Sequence, residues 1–182
     1  MLWADQWTER GVALFGWSGA IPVTWFQALN PFMIFAFTPF VVWFWQWQGA
    51  REPSSVTKMA IGCALNAAAF LLLAAVAAAS GDHKASWLWL VVFFVVLTVG
   101  ELYLSPTSLS LVTKVAPLRL LSMMMGVWLS TSFIGGFLAG YLGTFWSSMG
   151  RGPFFLMLSA ISAVAAVFVA ALSRPLGAAL RH

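Results

Sequence analysis

WLWLVVFFVVLTVGELYLSPTSLSLVTK, residues 87–114, decides how the rest of the chain is read. Its first fourteen residues carry no charge, and Thr98 is their only side chain with a polar head. An apolar run of this length predicts a transmembrane helix. Glu101 then falls inside it, the only acidic residue of the chain in such a run. A carboxylate near mid-membrane costs about 2.5–3.5 kcal/mol on insertion scales, which marks it as a functional residue by default. Thr98, Glu101, Ser105 and Ser108 follow at spacings of three, four and three, so they share one helix face. Pro106 removes a backbone donor and frees the carbonyl of Leu102, favouring a bend there. A polar stripe, a buried acid and a bend on one face describe a helix lining a water-filled pathway. The competing description is an acid paired with a neighbouring helix for assembly alone.

Composition sets the class. Of 182 residues, 62% are hydrophobic and 8% charged, and the mean hydropathy is +0.91. Soluble domains carry about 25% charged residues, so the expectation is an all-α integral membrane protein. The formal charge of +4 then reports basic loops at one membrane face rather than a nucleic-acid partner. The single cysteine, Cys63, lies in an apolar run, which leaves no disulfide framework and no paired metal-ligand motif. The first twenty residues contain Asp5, Glu9 and Arg10 and no apolar h-region, so no cleavable signal peptide is expected in them.

Working outward from residues 87–114, residues 1–20 are amphipathic and too polar to span, and are expected to hold the end of a preceding helix and an interfacial turn. Residues 21–182 are expected to form one transmembrane bundle with spans at about 21–47, 56–79, 87–112, 120–146 and 153–172. Placing the loop after the first span in the cytoplasm puts Arg51, Lys58, Lys114, Arg119, Arg174 and Arg181 on that side, against Arg10, Lys84 and Arg151 on the other. Six against three favours a cytoplasmic C-terminus under the positive-inside rule. Five spans then leave Met1 outside, attached to what reads as a helix tail, so the chain is expected to be a piece of a larger one.

The first predicted span has a polar wedge of its own: Thr24, Gln27, Asn30 and Thr38 fall within about 120° at 100° per residue. Pro31 frees the carbonyl of Gln27, clustering polar groups where that helix bends. Asn30 is deep enough to bind a ligand; it also suits interhelical packing, worth about 0.6 kcal/mol. Most of the eleven tryptophans sit near span ends, as an aromatic belt requires. Trp128 does not, about eight residues into the fourth predicted span, where it is either a pocket wall or packing. The Ser132/Gly136/Gly140 ladder on that span predicts close approach of a neighbouring helix. Asn66 is expected to hydrogen-bond across helices. No metal cluster, phosphate loop or nucleophile–base pair is written in the chain, so no catalytic residue, cofactor or metal is expected.

These residues carry a resemblance. GELYLSPTSLSLVTKVAPLRL (residues 100–120) followed by MMMGVWLSTSFIGGFLAGYLG (residues 123–143) resembles the proton-dependent oligopeptide transporter (POT) family, whose usual text is close to GELxLSPxGLSxVTKLAP and then MMGxWFLS. TWFQALNPFMIFAFTPF (residues 24–40) is similar to that family's eighth helix, and LWADQWTER (residues 2–10) to the end of its seventh. The resemblance implies helices eight to twelve of a twelve-helix major-facilitator fold, the C-terminal helical bundle of such a transporter. It implies proton-coupled uptake of di- or tripeptides through a bacterial-type inner membrane. It also implies that Glu101 meets the peptide's amino group, with Asn30, Ser105 and Trp128 lining the pocket. Partners would be peptides, protons, the lipid bilayer and the missing N-terminal half, which carries the family's ExxER motif. Ser108 stands where the family usually has glycine, and Gln6 where an arginine is common. The alternative from another class is a small membrane subunit that only assembles with a partner.

The charge count makes a direct prediction. With Cys63→Ala as background, a cysteine at Ser54 should be protected from an impermeant thiol reagent added outside, and one at Ser148 should react. Labelling at position 54 from outside would reverse the orientation.

Overall fold

Five helices of 24 to 29 residues make up about three quarters of the chain in a computed structural model. The structure describes residues 6–9, 11–14, 17–20, 22–49, 53–81 and 83–179. Arg10, Arg51, Arg181 and the first four residues of the LWADQWTER motif lie outside them, as do the side chains of Gln27 and Arg174. The helices are α1 (Val23–Gln48), α2 (Ser55–Ser80), α3 (Trp87–Val115), α4 (Leu121–Thr144) and α5 (Arg151–Ala179). Each contains a stretch long and apolar enough to cross a membrane. This is a multi-pass membrane protein, with the five spans expected of the sequence.

The helix ends follow local chemistry. Ser54 caps α2 by accepting from the Thr57 amide at 3.3 Å, and Ser86 caps α3 by accepting from the Leu88 amide at 3.4 Å. Gly49 and Gly81, both at φ +50°, end α1 and α2 in a backbone conformation that glycine adopts without steric cost. Pro31 and Pro39 lie inside α1 and Pro106 inside α3, and both helices continue through them. The opening residues contain short strands. β1 (Thr8–Glu9) pairs in parallel with β4 (Ala85–Ser86), and β2 (Gly11–Leu14) pairs antiparallel with β3 (Trp17–Ala20). Pairing satisfies the backbone donors and acceptors of these short segments.

The bundle is built around α2, which packs on α3 along one side and α5 along another; α1 lies against α3. The reason is in its sequence. Ala67, Ala69, Ala74 and Ala77 are buried, and small residues let helix backbones approach closely where lipid removes the hydrophobic drive for association. Ser159 on α5 is buried and donates to the Ala67 carbonyl at 2.9 Å, tying α5 to α2. Aromatic rings fill one end of this core: Phe70 with Phe93, Phe93 with Phe94, and Trp146 with Phe154 and Phe155. Outside that core, Arg151 donates to the Gly81 carbonyl at 2.6 Å and lies 3.5 Å from the Trp7 ring centroid. At the other end of the bundle Lys58 sits 3.8 Å from the Trp45 ring centroid, and Trp45 meets Tyr103 edge-on at 5.3 Å.

The close approach of glycine-bearing helices is not on α4, where the small-residue ladder predicted one. A Cβ at Gly126, Gly135, Gly136, Gly140 or Gly143 of α4 would meet nothing within 4 Å, and no described residue of α4 is buried. The close approach instead joins Gly62 of α2 to Gly100 of α3. A Cβ at Gly62 would come within 2.8 Å of the Gly100 carbonyl oxygen, and one at Gly100 within 3.0 Å of the Gly62 oxygen. Asn66 is fitted into the same crossing, its Oδ1 pressed against Gly100. The interhelical hydrogen bond expected of it is absent: among the described residues Oδ1 is buried without a partner. The glycine that brings α3 close offers that oxygen a Cα–H rather than an N–H, a much weaker donor.

Gly100→Leu should therefore unfold the bundle more readily, by about 1–3 kcal/mol as overpacking costs in cores. Gly140→Ala, which adds a methyl where nothing is met, should stay within about 0.5 kcal/mol. Reversible denaturant unfolding of the chain in detergent micelles, followed by circular dichroism, compares the two.

Candidate functional site

Glu101 is the central residue of α3, fourteen residues from Trp87 and fourteen from Val115. At 1.5 Å per residue that is about 21 Å from either end, the depth at which an unpaired charge is most costly. Opposite it on α1 stands Asn30, half-buried like Glu101 itself. The Asn30 side-chain nitrogen donates to Glu101 Oε2 at 3.1 Å. The other end of the same amide is also engaged, its Oδ1 accepting from the Thr98 hydroxyl at 2.9 Å. Thr98 is fully buried, with no exposed surface. Three side chains from two helices thus form a chain of hydrogen bonds, Thr98 to Asn30 to Glu101. Among the described residues no cation pairs with Glu101, and its Oε1 receives no hydrogen bond.

The polar stripe on α3 divides in two. Thr98 turns into the contact with α1 rather than toward a pathway, whereas Ser105, one turn beyond Glu101, is exposed. Ser108 is half-buried and donates back to the Ser105 carbonyl at 3.0 Å. Trp128 is on α4, half-buried, with its carbonyl accepting from the Thr131 hydroxyl at 2.6 Å. No hydrogen bond or ring contact joins it to Asn30 or Glu101 among the described residues. Of the four residues singled out in the sequence, the structure therefore joins Asn30 and Glu101 directly and keeps Ser105 on the same helix as Glu101. It leaves Trp128 on a separate one. The residue that sequence reasoning misassigned is Thr98. Its helical spacing from Glu101 was visible, but that spacing could not say which neighbour the hydroxyl would reach. A cleft of about 370 Å³ opens farther along α3, between Trp45, Ser54, Lys58, Pro106, Thr107, Ser110 and Lys114; Glu101 is not part of its lining.

Chemically, Glu101 is a carboxylate held by a neutral amide. The amide orients it and donates one hydrogen bond without cancelling its charge. Such a group can accept a cation or a proton from outside the bundle.

The family model described as the POT family matches residues 11–153. The chain belongs to the POT family. This POT chain is 36% identical over 128 residues to a di-/tripeptide transporter of Lactococcus lactis subsp. cremoris, an alignment covering 70% of this chain and 26% of that protein. It is 37% identical over 147 residues to a peptide transporter of Yersinia enterocolitica, covering 78% of this chain and 28% of the relative. The chain thus spans about a quarter of the length of the curated relatives it matches. Its fold agrees with a crystal structure of a POT family transporter in complex with a thioalcohol-conjugated peptide, at TM-score 0.87 and 28% identity, over 96% of this chain and 36% of that one. A peptide transporter crystallised with sulfate gives TM-score 0.88 at 27% identity, over 97% and 35%. These relatives are transporters rather than enzymes, and the bundle has the major-facilitator-type architecture they share.

Asn30 is the residue on which the geometry turns. Asn30→Leu removes the donor to Glu101 and the acceptor for Thr98 together. It should destabilise the bundle by about 0.6–1.7 kcal/mol, the span of interhelical hydrogen bonds measured in membranes. Asn66→Ala, which removes an oxygen that has no partner, should cost less. The same micelle unfolding assay ranks them.

Proposed function

We propose that this chain forms the C-terminal wall of the peptide site in a proton-coupled di- or tripeptide symporter of a bacterial-type inner membrane. Its C-terminus would lie in the cytoplasm. Transport would proceed by alternating access, with two helical bundles rocking about a site near the midplane. The partner bundle would come from the part of the relatives' length that this chain does not span.

The observation that carries this reading is the Glu101 carboxylate, held by Asn30 at mid-membrane with no cation beside it among the described residues. A charge at that depth must be neutralised or paired. A peptide ammonium supplies the pair when substrate is bound, and a proton supplies neutrality when it is not. The two alternatives compete for one group, and that competition can link proton entry to peptide release. Asn30 would hold the carboxylate in register for the ammonium, and the exposed Ser105 would offer a hydroxyl one turn away. Trp128 would close the pocket as an aromatic wall. An assembly role for Glu101 would also use a bond to Asn30. The relatives, a di-/tripeptide transporter and a peptide transporter, favour transport over a purely structural subunit.

Glu101→Gln keeps shape and hydrogen-bonding capacity but removes the charge, so insertion and folding should survive. In the transporter that contains this chain, peptide uptake normalised to surface protein should fall severely. For the unmodified protein, N-acetylated dipeptides, which lack the ammonium, should be poor substrates. Near-normal uptake by Glu101→Gln would remove the ligand role and leave the assembly role in its place.

A further inference from the structure

Within the Thr98–Asn30–Glu101 chain, the residue with no access to substrate is the one that fixes the polarity of the others. A side-chain amide has a donor end and an acceptor end on one plane, and a half-turn about its last bond exchanges them. If Asn30 presented its oxygen to Glu101, two acceptors would face each other whenever the carboxylate is ionised. In the structure it presents its nitrogen, and its oxygen is taken by the Thr98 hydroxyl at 2.9 Å. Thr98 is wholly enclosed, with no exposed surface, so no ligand or water from a pathway competes for that hydroxyl. Valine at this position would have nearly the same shape and no donor.

We infer that Thr98 is a positioning residue for the peptide site: its hydroxyl fixes the orientation of the Asn30 amide. The amide then holds Glu101 by Oε2 and leaves Oε1, which accepts no hydrogen bond among the described residues, for an ammonium. Thr98 acts only through Asn30. The inference rests on the reading of Glu101 as the ammonium site, and adds to it the group that sets how tightly the site holds a free amino terminus. Loss of the Thr98 donor frees the amide to turn. Part of the time the carboxylate then loses its tether, and for that fraction its other oxygen is out of register.

The test is kinetic, in the transporter that contains this chain, with dipeptide uptake normalised to surface protein. Thr98→Val should raise KM for a free-amino dipeptide about fivefold, the factor that one net hydrogen bond of about 1 kcal/mol sets, with maximal rate nearly unchanged. Thr98→Ser, which restores a hydroxyl, should return KM to within about twofold of the unmodified protein. In an Asn30→Ala background, Thr98→Val should add nothing further, because the amide it orients is gone. Thr98→Ala serves the same comparison should valine prevent insertion. A KM unchanged in both Thr98→Val and Thr98→Ala would overturn the inference, and so would an equal effect with and without Asn30. Either result, obtained while Glu101→Gln is inactive, would leave the reading of Glu101 standing. Active Glu101→Gln would instead overturn that reading, whatever Thr98 does.

Discussion

A carboxylate in the middle of an apolar helix dictates much of what surrounds it. Glu101 cannot face lipid, so α3 must turn that residue toward protein or toward water. α1 meets the requirement with Asn30, whose amide offers a hydrogen bond but no charge. That choice matters. A lysine or arginine in the same place would bury a closed ion pair, strong enough to hold two helices together and too well satisfied to bind anything else. An amide stabilises the carboxylate partially and leaves its charge available. Thr98 completes the arrangement from inside the α1–α3 contact, where the hydroxyl faces no competing partner.

The position of Glu101 depends equally on the residue before it. At Gly100 the backbone of α3 lies close against α2, and successive helical residues are 100° apart. Clamping Gly100 against Gly62 therefore fixes the direction in which Glu101 points. A side chain at Gly100 would push α3 off α2 and carry the carboxylate with it. The alanine-rich surface of α2 makes the same close approach available to α5, through the Ser159 bond to the Ala67 carbonyl. α2 is in that sense the rigid spine, and α3 the helix that presents chemistry from it.

The five spans were legible because apolar runs of this length have one physical meaning, and loop glycines and serines mark their ends. Glu101 and Asn30 were legible as residues that hydrocarbon cannot tolerate alone. Which polar groups would meet was not legible. Spacing on one helix fixes a face, but the partner of that face depends on how helices pack, and packing is set by small residues that look alike in sequence. Two glycine-bearing patterns were present. The conspicuous ladder on α4 meets no neighbour among the described residues, and the inconspicuous pair Gly62 and Gly100, thirty-eight residues apart, makes the crossing. Asn66 illustrates the same limit, since its polarity predicted a hydrogen bond and its location gave it a glycine Cα. The strand pairing of Thr8–Glu9 with Ala85–Ser86 had no signal at all, being two residues long on each side.

Three of the polar contacts in the bundle separate structural polarity from functional polarity. The Ser159 hydroxyl is buried and gives its one proton to a carbonyl on α2; nothing remains for a ligand, and the bond is packing. The Asn66 oxygen is buried without a partner among the described residues, a cost accepted where α2 and α3 must touch. Glu101 fits neither pattern. It is only half-buried, one oxygen is held, and its charge is left uncancelled among the described residues. Packing alone gives no reason to spend a carboxylate where a glutamine would make the same bond to Asn30. What the carboxylate has and the amide lacks is a charge, which at this depth has to be neutralised or paired. The proposed exchange of a peptide ammonium for a proton gives that charge a use that packing does not.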